Sequence, residues 1–210
     1  MVPGIDHRLL MASVDTPGLG ISGQAVTRDN EVQLQVPETA AAGELAVYFE
    51  FSSGGEPAHP TGWSPIISFS NNRDVYASWK LLEESDFNVD IVGDTVATIL
   101  HKGITTLTLP PGLTPSAYDE SADDQESAGE TEITIPGRSA DVGFKMFVGG
   151  INSSFNLSFN NPDGWDVFSD NNRTFIATRI YEGSIDPATA TLSGNSPLRA
   201  IGGFNMRFEE

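Results

Sequence analysis

Cysteine is absent from this 210-residue chain. Disulfides, thiolate nucleophiles and cysteine metal sites are removed together, and with them the small secreted domain stapled by bridges. Basic residues are scarce: 11 Lys and Arg stand against 29 Asp and Glu, for a formal charge of -18. Nucleic-acid binding draws on Lys and Arg to displace counterions from phosphates, so a nucleic-acid partner is not expected. Anionic membrane surfaces are disfavoured on the same ground. No run approaches the roughly 20 apolar residues of a spanning helix. The first ten residues carry Asp6, His7 and Arg8 and no continuous apolar stretch, which predicts no signal peptide. There is no Gly-x-Ser-x-Gly elbow. His7, His59 and His101 are scattered, without the paired spacing of a zinc site. His59, next to Pro60, reads as a surface loop residue. No catalytic residue, metal or cofactor is expected.

What the chain does have is self-similarity, which comes before any other pattern. Ser70-Asn71-Asn72-Arg73 and the later Ala77 match Asp170-Asn171-Asn172-Arg173 and Ala177. Upstream of each lies a Gly-Trp pair, Gly62-Trp63 and Gly164-Trp165. Further upstream, Leu34-Gln35-Val36-Pro37 matches Ile133-Thr134-Ile135-Pro136. Three matches in one order predict two tandem copies of one unit.

Each copy reads as strands. Leu45, Val47, Phe49 and Phe51 alternate with Ala46, Tyr48 and Glu50, and Val142, Phe144 and Met146 alternate likewise. Tyr76 to Leu82 would suit a short helix, but its partner from Phe175 to Tyr181 is β-branched and aromatic, so both are read as strands. Further strands are expected over 95–100, 104–109 and 189–192. Gly and Pro, 21 and 13 copies, punctuate throughout. The expected fold class is all-β: two small sandwich or jelly-roll-like units, 32–109 and 131–210, related by the internal repeat. Units of this size need packing between the copies, or between chains. Residues 1–31 lack periodicity and read as an extended arm. Residues 110–130 hold Asp119, Glu120, Asp123, Asp124, Glu126 and Glu130 with no Lys or Arg, and read as a flexible acidic linker.

The repeat also sorts candidate contacts. Exposed tryptophans stack on sugar rings, and the chain offers Trp63, Trp79 and Trp165. Gly62, Gly164, Trp63, Trp165 and both Asn-Asn-Arg triplets recur, which fits a structural role, the indole packing on the sheet under Arg73 or Arg173. Trp79 has Arg179 as its counterpart by number and is the stronger candidate for a carbohydrate or partner contact. Calcium ligation by 119–130, or by Asp163, Asp166 and Asp170, lacks the Asp-x-Asp-x-Asp-Gly loop and reads as solvated acid. Close carboxylate pairs for glycoside hydrolysis are not singled out either. Sequons at Asn152, Asn156 and Asn172 matter only in a secretory context.

The Gly-Trp pair, the nearby Asn-Arg, the strand after it, and a closing strand such as Leu198-Arg199-Ala200-Ile201-Gly202-Gly203-Phe204 resemble small repeated β-domains in structural proteins of tailed bacteriophages. The resemblance covers most of 32–108 and 131–208; the first copy departs from it at Ile99-Leu100-His101-Lys102-Gly103. It implies a non-enzymatic virion component, as a head decoration, head fibre or tail-associated protein, assembled in the bacterial cytoplasm with copies of itself and other virion proteins. It carries over no catalytic residues. The competing expectations are a carbohydrate-binding module or host-surface adhesin and, more distantly, a polysaccharide hydrolase.

Overall fold

Successive side chains of an extended strand point to opposite faces. In the computed structural model of the chain, Leu45, Val47, Phe49 and Phe51 accordingly enter one apolar interior, while Ala46 and Tyr48 enter another. The structure describes residues 18–28, 34–53, 59–71, 74–92, 98–125, 129–151, 158–160, 164–170, 174–194 and 199–210. Among them run β1 (Gly20–Arg28), β2 (Leu45–Ser53), β3 (Ser64–Ser70), β4 (Asp74–Leu81), β5 (Thr98–Thr108), β6 (Thr114–Gln125) and β7 (Gly129–Ile135). Then follow β8 (Arg138–Ile151), β9 (Ser158–Asn160), β10 (Asp166–Asp170), β11 (Thr174–Ile185), β12 (Ala188–Gly194) and β13 (Arg199–Glu209). A 3-10 turn at Glu84–Asp86 is the one helical element among the described residues.

The strands form three antiparallel sheets, ordered β1-β5-β2-β4-β3, β10-β11-β8-β13-β6 and β7-β12-β9. The all-β class is as the sequence predicts. The use of the halves differs. Each was expected to be a small sandwich supported by packing between the copies or between chains; each supplies one five-stranded sheet, and the main core lies between the two. Val47, Phe49, Val75 and Ala77 of the first sheet share it with Phe144, Met146, Ile176 and Phe204 of the second. The third sheet covers the back of the second, burying Phe147, Phe175 and Ile201 under Ile133, Ile135, Ala188 and Ala190. Two irregular stretches cover the back of the first sheet, where Leu34, Val36, Leu82 and Ile91 lie on Ala46, Tyr48 and Ile104. Apolar faces front and back of both sheets thus give four layers.

The two five-stranded sheets have one strand order when β1, β5, β2, β4 and β3 are set against β6, β13, β8, β11 and β10. Their central ladders agree as well. Phe49 pairs with Ala77 and Gly103, and Val148 pairs with Ile176 and Gly202, each member numbered 99 above its counterpart. The outermost layers follow suit. The Ile91 amide donates to the Leu34 carbonyl (2.7 Å), where Ala190 pairs with Ile133 in the third sheet. This register corrects the match of Ala77 with Ala177: Ala77 faces the shared core and Ala177 the third sheet. A shift of one residue in a strand exchanges its faces. By the same register the counterpart of Trp79 is Thr178, not Arg179, which corresponds to Lys80.

Three further expectations change. The arm ends before Gly20, because β1 pairs along β5 and is fixed by polar contacts: Ser22 Oγ donates to Thr106 Oγ1 (2.8 Å), and Gln24 Nε2 donates to Thr105 Oγ1 (3.3 Å). The acidic linker is replaced by β6, whose ladder with β13 runs from Thr114 to Gln125, followed by β7. An edge strand keeps one face and one side in water, so its acids cost little. Thr98–Thr108 is one strand rather than two, because Gly103 is no break: the Phe49 ring lies over it, 2.4 Å from where a Cβ would stand.

At Gly202 the backbone of one sheet comes close to side chains of the facing sheet. A Cβ there would stand 2.6 Å from Val75 Cγ1 and 3.1 Å from Ile67 Cδ1. Gly202→Ala is therefore expected to lower stability by about 1–3 kcal/mol, as overpacking does, measured as a lower urea midpoint at unchanged slope. An unchanged midpoint would show that the two sheets do not meet at Gly202.

Candidate functional site

The two Gly-Trp pairs make the same local structure. Gly62 and Gly164 sit at φ of 83° and 82°, the left-handed region that a side chain resists. Each turn delivers its indole to the back of its sheet. Trp63 meets Tyr48 edge-on, centroids 6.0 Å apart, and Trp165 meets Phe147 at 4.9 Å. Tyr48 and Phe147 are counterparts in the ladder register. Both tryptophans thus pack on the sheet. The Asn-Asn-Arg triplets lie outside the described residues apart from Asn71, which is exposed, so Asn72, Arg73, Asn171, Asn172 and Arg173 carry no geometry here.

Exposure separates the tryptophans. Trp165 is 8% exposed, closed over by the third sheet. Trp79 is partly buried and packs against the shared core. Trp63, also partly buried, borders a groove. It has a volume of about 210 Å³ and is lined by Pro60, Thr61, Asp86, Val89, Asp90 and Val92 among others. Val89 and Val92 are each 51% exposed. Both carboxylates are held in place: Asp86 accepts from Lys80 Nζ (2.6 Å) and from the Glu83 amide (2.8 Å), and Asp90 Oδ1 accepts from Gln35 Nε2 (3.0 Å). Sequence patterns alone did not favour Trp63, because its recurrence marks the packing role that both indoles share.

Polar chemistry gathers elsewhere. His59, expected in a surface loop, is half-buried against Tyr76, its ring nitrogens 2.6 Å from Ser78 Oγ and 2.8 Å from Ser68 Oγ. Burial lowers its pKa. The imidazole therefore ties the chain before β3 to β3 and β4. On the back of the second sheet, Arg179, Lys145, Asn205 and Asp119 follow one another across β11, β8, β13 and β6. Arg138 forms a two-point ion pair with Asp119 that holds the carboxyl below its usual range. Tyr181 donates to Asn205 Oδ1 (2.7 Å), and Lys145 Nζ donates to the Asp186 carbonyl (3.0 Å). Burial pushes the Lys145 ammonium down to about 8, against the attraction of Asp119 and Asp186 and with Arg179 adding to the shift. A second slot, about 330 Å³, opens between the edges of β3 and β6 beside Phe69 and Glu120. Burial raises the Glu120 pKa. Among the described residues no group of three or more His, Asp or Glu is placed to hold a metal ion.

No family model, curated protein or solved structure matches the chain.

Lys145 gives a pH prediction with a definite sign. Its folded pKa, about 8, lies below the ordinary 10.5. Between these values the unfolded chain holds a proton that the folded chain has released, so this group adds stability as pH rises from about 8 to about 10.5. The side-chain resonance of Lys145 should titrate near 8 by NMR. The difference in unfolding free energy between the native chain and Lys145→Met should vary over the same window and be flat below it. A titration near 10.5 would contradict the burial.

Proposed function

We propose that the chain is a non-catalytic structural component of a tailed-bacteriophage virion, a head decoration, head fibre or tail-associated protein that works through surface contacts with copies of itself and with other virion proteins. The observation that carries this reading is the edge strand β10. It pairs only with β11 among the described residues, and its Val167 and Phe168 are 49% and 37% exposed. An open strand edge bearing apolar side chains can take a strand from another chain by extending the ladder. The opposite edge of the same sheet, β6, carries Asp119, Glu120, Asp123 and Asp124, and like charge there discourages indiscriminate edge pairing. A layered all-β build, an acidic composition and the resemblance of the repeated segments to phage β-domains point the same way.

The same reading takes the chain as one five-stranded unit used twice. Its support is the common strand order and the constant register difference of the two sheets.

The test is assembly. The purified chain should form a defined oligomer in analytical ultracentrifugation or co-sediment with particles. Val167→Asp combined with Phe168→Asp should weaken that association at least about tenfold, the loss of roughly 1.4 kcal/mol of apolar contact, with the far-UV spectrum unchanged. A strictly monomeric chain that never accompanies virions would sink the reading.

A further inference from the structure

The described residues of the two back layers correspond at three positions, yet they continue differently from there. Leu34, Val36 and Ile91 occupy the places of Ile133, Ile135 and Ala190. In the second half these belong to a ladder of seven residue pairs between β7 and β12. In the first half the segment from Leu82 makes the 3-10 turn, passes Asn88 at φ of 59°, and meets Leu34 through the Ile91 amide. Among the described residues, the layer does not close over Trp63 as the third sheet does over Trp165.

We propose that the resulting groove binds a neutral saccharide, with the Trp63 indole against the apolar face of one pyranose ring and Asp86, Asp90 and Thr61 taking its hydroxyls. The lining has the two chemistries such a ligand presents. Trp63, Val89 and Val92 offer apolar surface. Carboxylates accept hydrogen bonds from hydroxyl groups, and charge-assisted bonds of this kind are the stronger ones. Asp86 and Asp90 are already oriented by Lys80 and Gln35, so little ordering is lost on binding. The groove, about 210 Å³, falls below the roughly 300–1,000 Å³ of a drug-sized site and suits a ligand engaged through one ring. Anionic sugars are opposed by Asp90 and by the net charge of -18. A cation is the less fitting occupant, because Lys80 already neutralises Asp86 and only one aromatic ring lines the space. The groove would take a saccharide whether or not the chain is carried on a particle.

The full chain, labelled with ¹⁵N, is titrated with glucose, galactose, mannose, N-acetylglucosamine and the β-linked trimers of glucose and of N-acetylglucosamine. Glucuronate and tetramethylammonium serve as the anionic and cationic comparators. At least one neutral saccharide should shift the Trp63 indole N–H and the amides of Val89 to Ile91 saturably. Trp63→Ala should weaken that binding about tenfold or more. Asp90→Ala should weaken it severalfold, and because this side chain bonds Gln35 at an exposed position it tests the site independently of Tyr48 packing. Trp79→Ala should leave the affinity unchanged. The proposal is overturned if no neutral probe gives saturable shifts at these positions, or if both Trp63→Ala and Asp90→Ala bind as the native chain does. It is also overturned if glucuronate or tetramethylammonium occupies the groove more tightly than every neutral probe.

Discussion

Contact between the inner faces of the two five-stranded sheets is the constraint on which the other layers depend. Neither face could stay dry alone, since Phe49 and Val75 on one side and Phe144 and Phe204 on the other have no other cover. Glycine at 202 lets the backbone of β13 come up to Val75 and Ile67. Gly150 does the same beside Phe51 and His101. Once the inner faces are joined, the outer faces still carry Tyr48, Ile104, Phe147 and Phe175, and each must find a further layer. The two five-stranded sheets are thereby driven to a four-layer arrangement, with the largest core cluster between them.

The outer layers show how a shared plan leads to different surfaces. Ala188 and Ala190 are small and extended, so β12 lies flat on β7 and completes a sheet above Trp165. In the matching stretch of the first half, the 3-10 turn and the left-handed Asn88 move the chain off a strand path, and Val89 and Val92 are left half exposed. The indole packs on the sheet in both halves, while its cover differs among the described residues. Trp63 is consequently both a structural residue and the wall of a groove, two roles that do not exclude each other.

Much of this was legible beforehand, for physical reasons that also explain the misses. Period-two alternation located β2 and β8, and the match of Leu34-Gln35-Val36 with Ile133-Thr134-Ile135 found equivalent cover residues. Matching Ala77 to Ala177 was one residue out, and in a strand one residue decides which layer a side chain enters. Trp79 was set against Arg179 for that reason, although a plain core residue, as its packing on the shared core shows it in part to be, was the alternative reading. β6 was hidden because an edge strand with a single ladder partner needs little apolar pattern. Its Ala122 reaches the core while Asp119 and Glu120 stay near water. Buried charge was hidden as well. Glu50 and Lys102 are 1% exposed and lie opposite each other in the ladder, a relation that appears only once the strands are paired.

The lysines turn this last point into an argument about partners. Lys102 and Lys145 are buried, and Lys80 is paired with Asp86. All three lysines are thus spent inside or in a fixed pair, and among the described residues Arg138 and Arg207 are likewise held by Asp119 and Glu209. The field outside the molecule is then set by uncompensated carboxylates, and it repels anions and copies of the chain alike at long range. Any association would have to come from short-range contact strong enough to overcome that repulsion. The proposed contacts are of that kind: Val167 and Phe168 are apolar side chains at an open strand edge, and Trp63 lies beside the oriented acceptors Asp86 and Asp90.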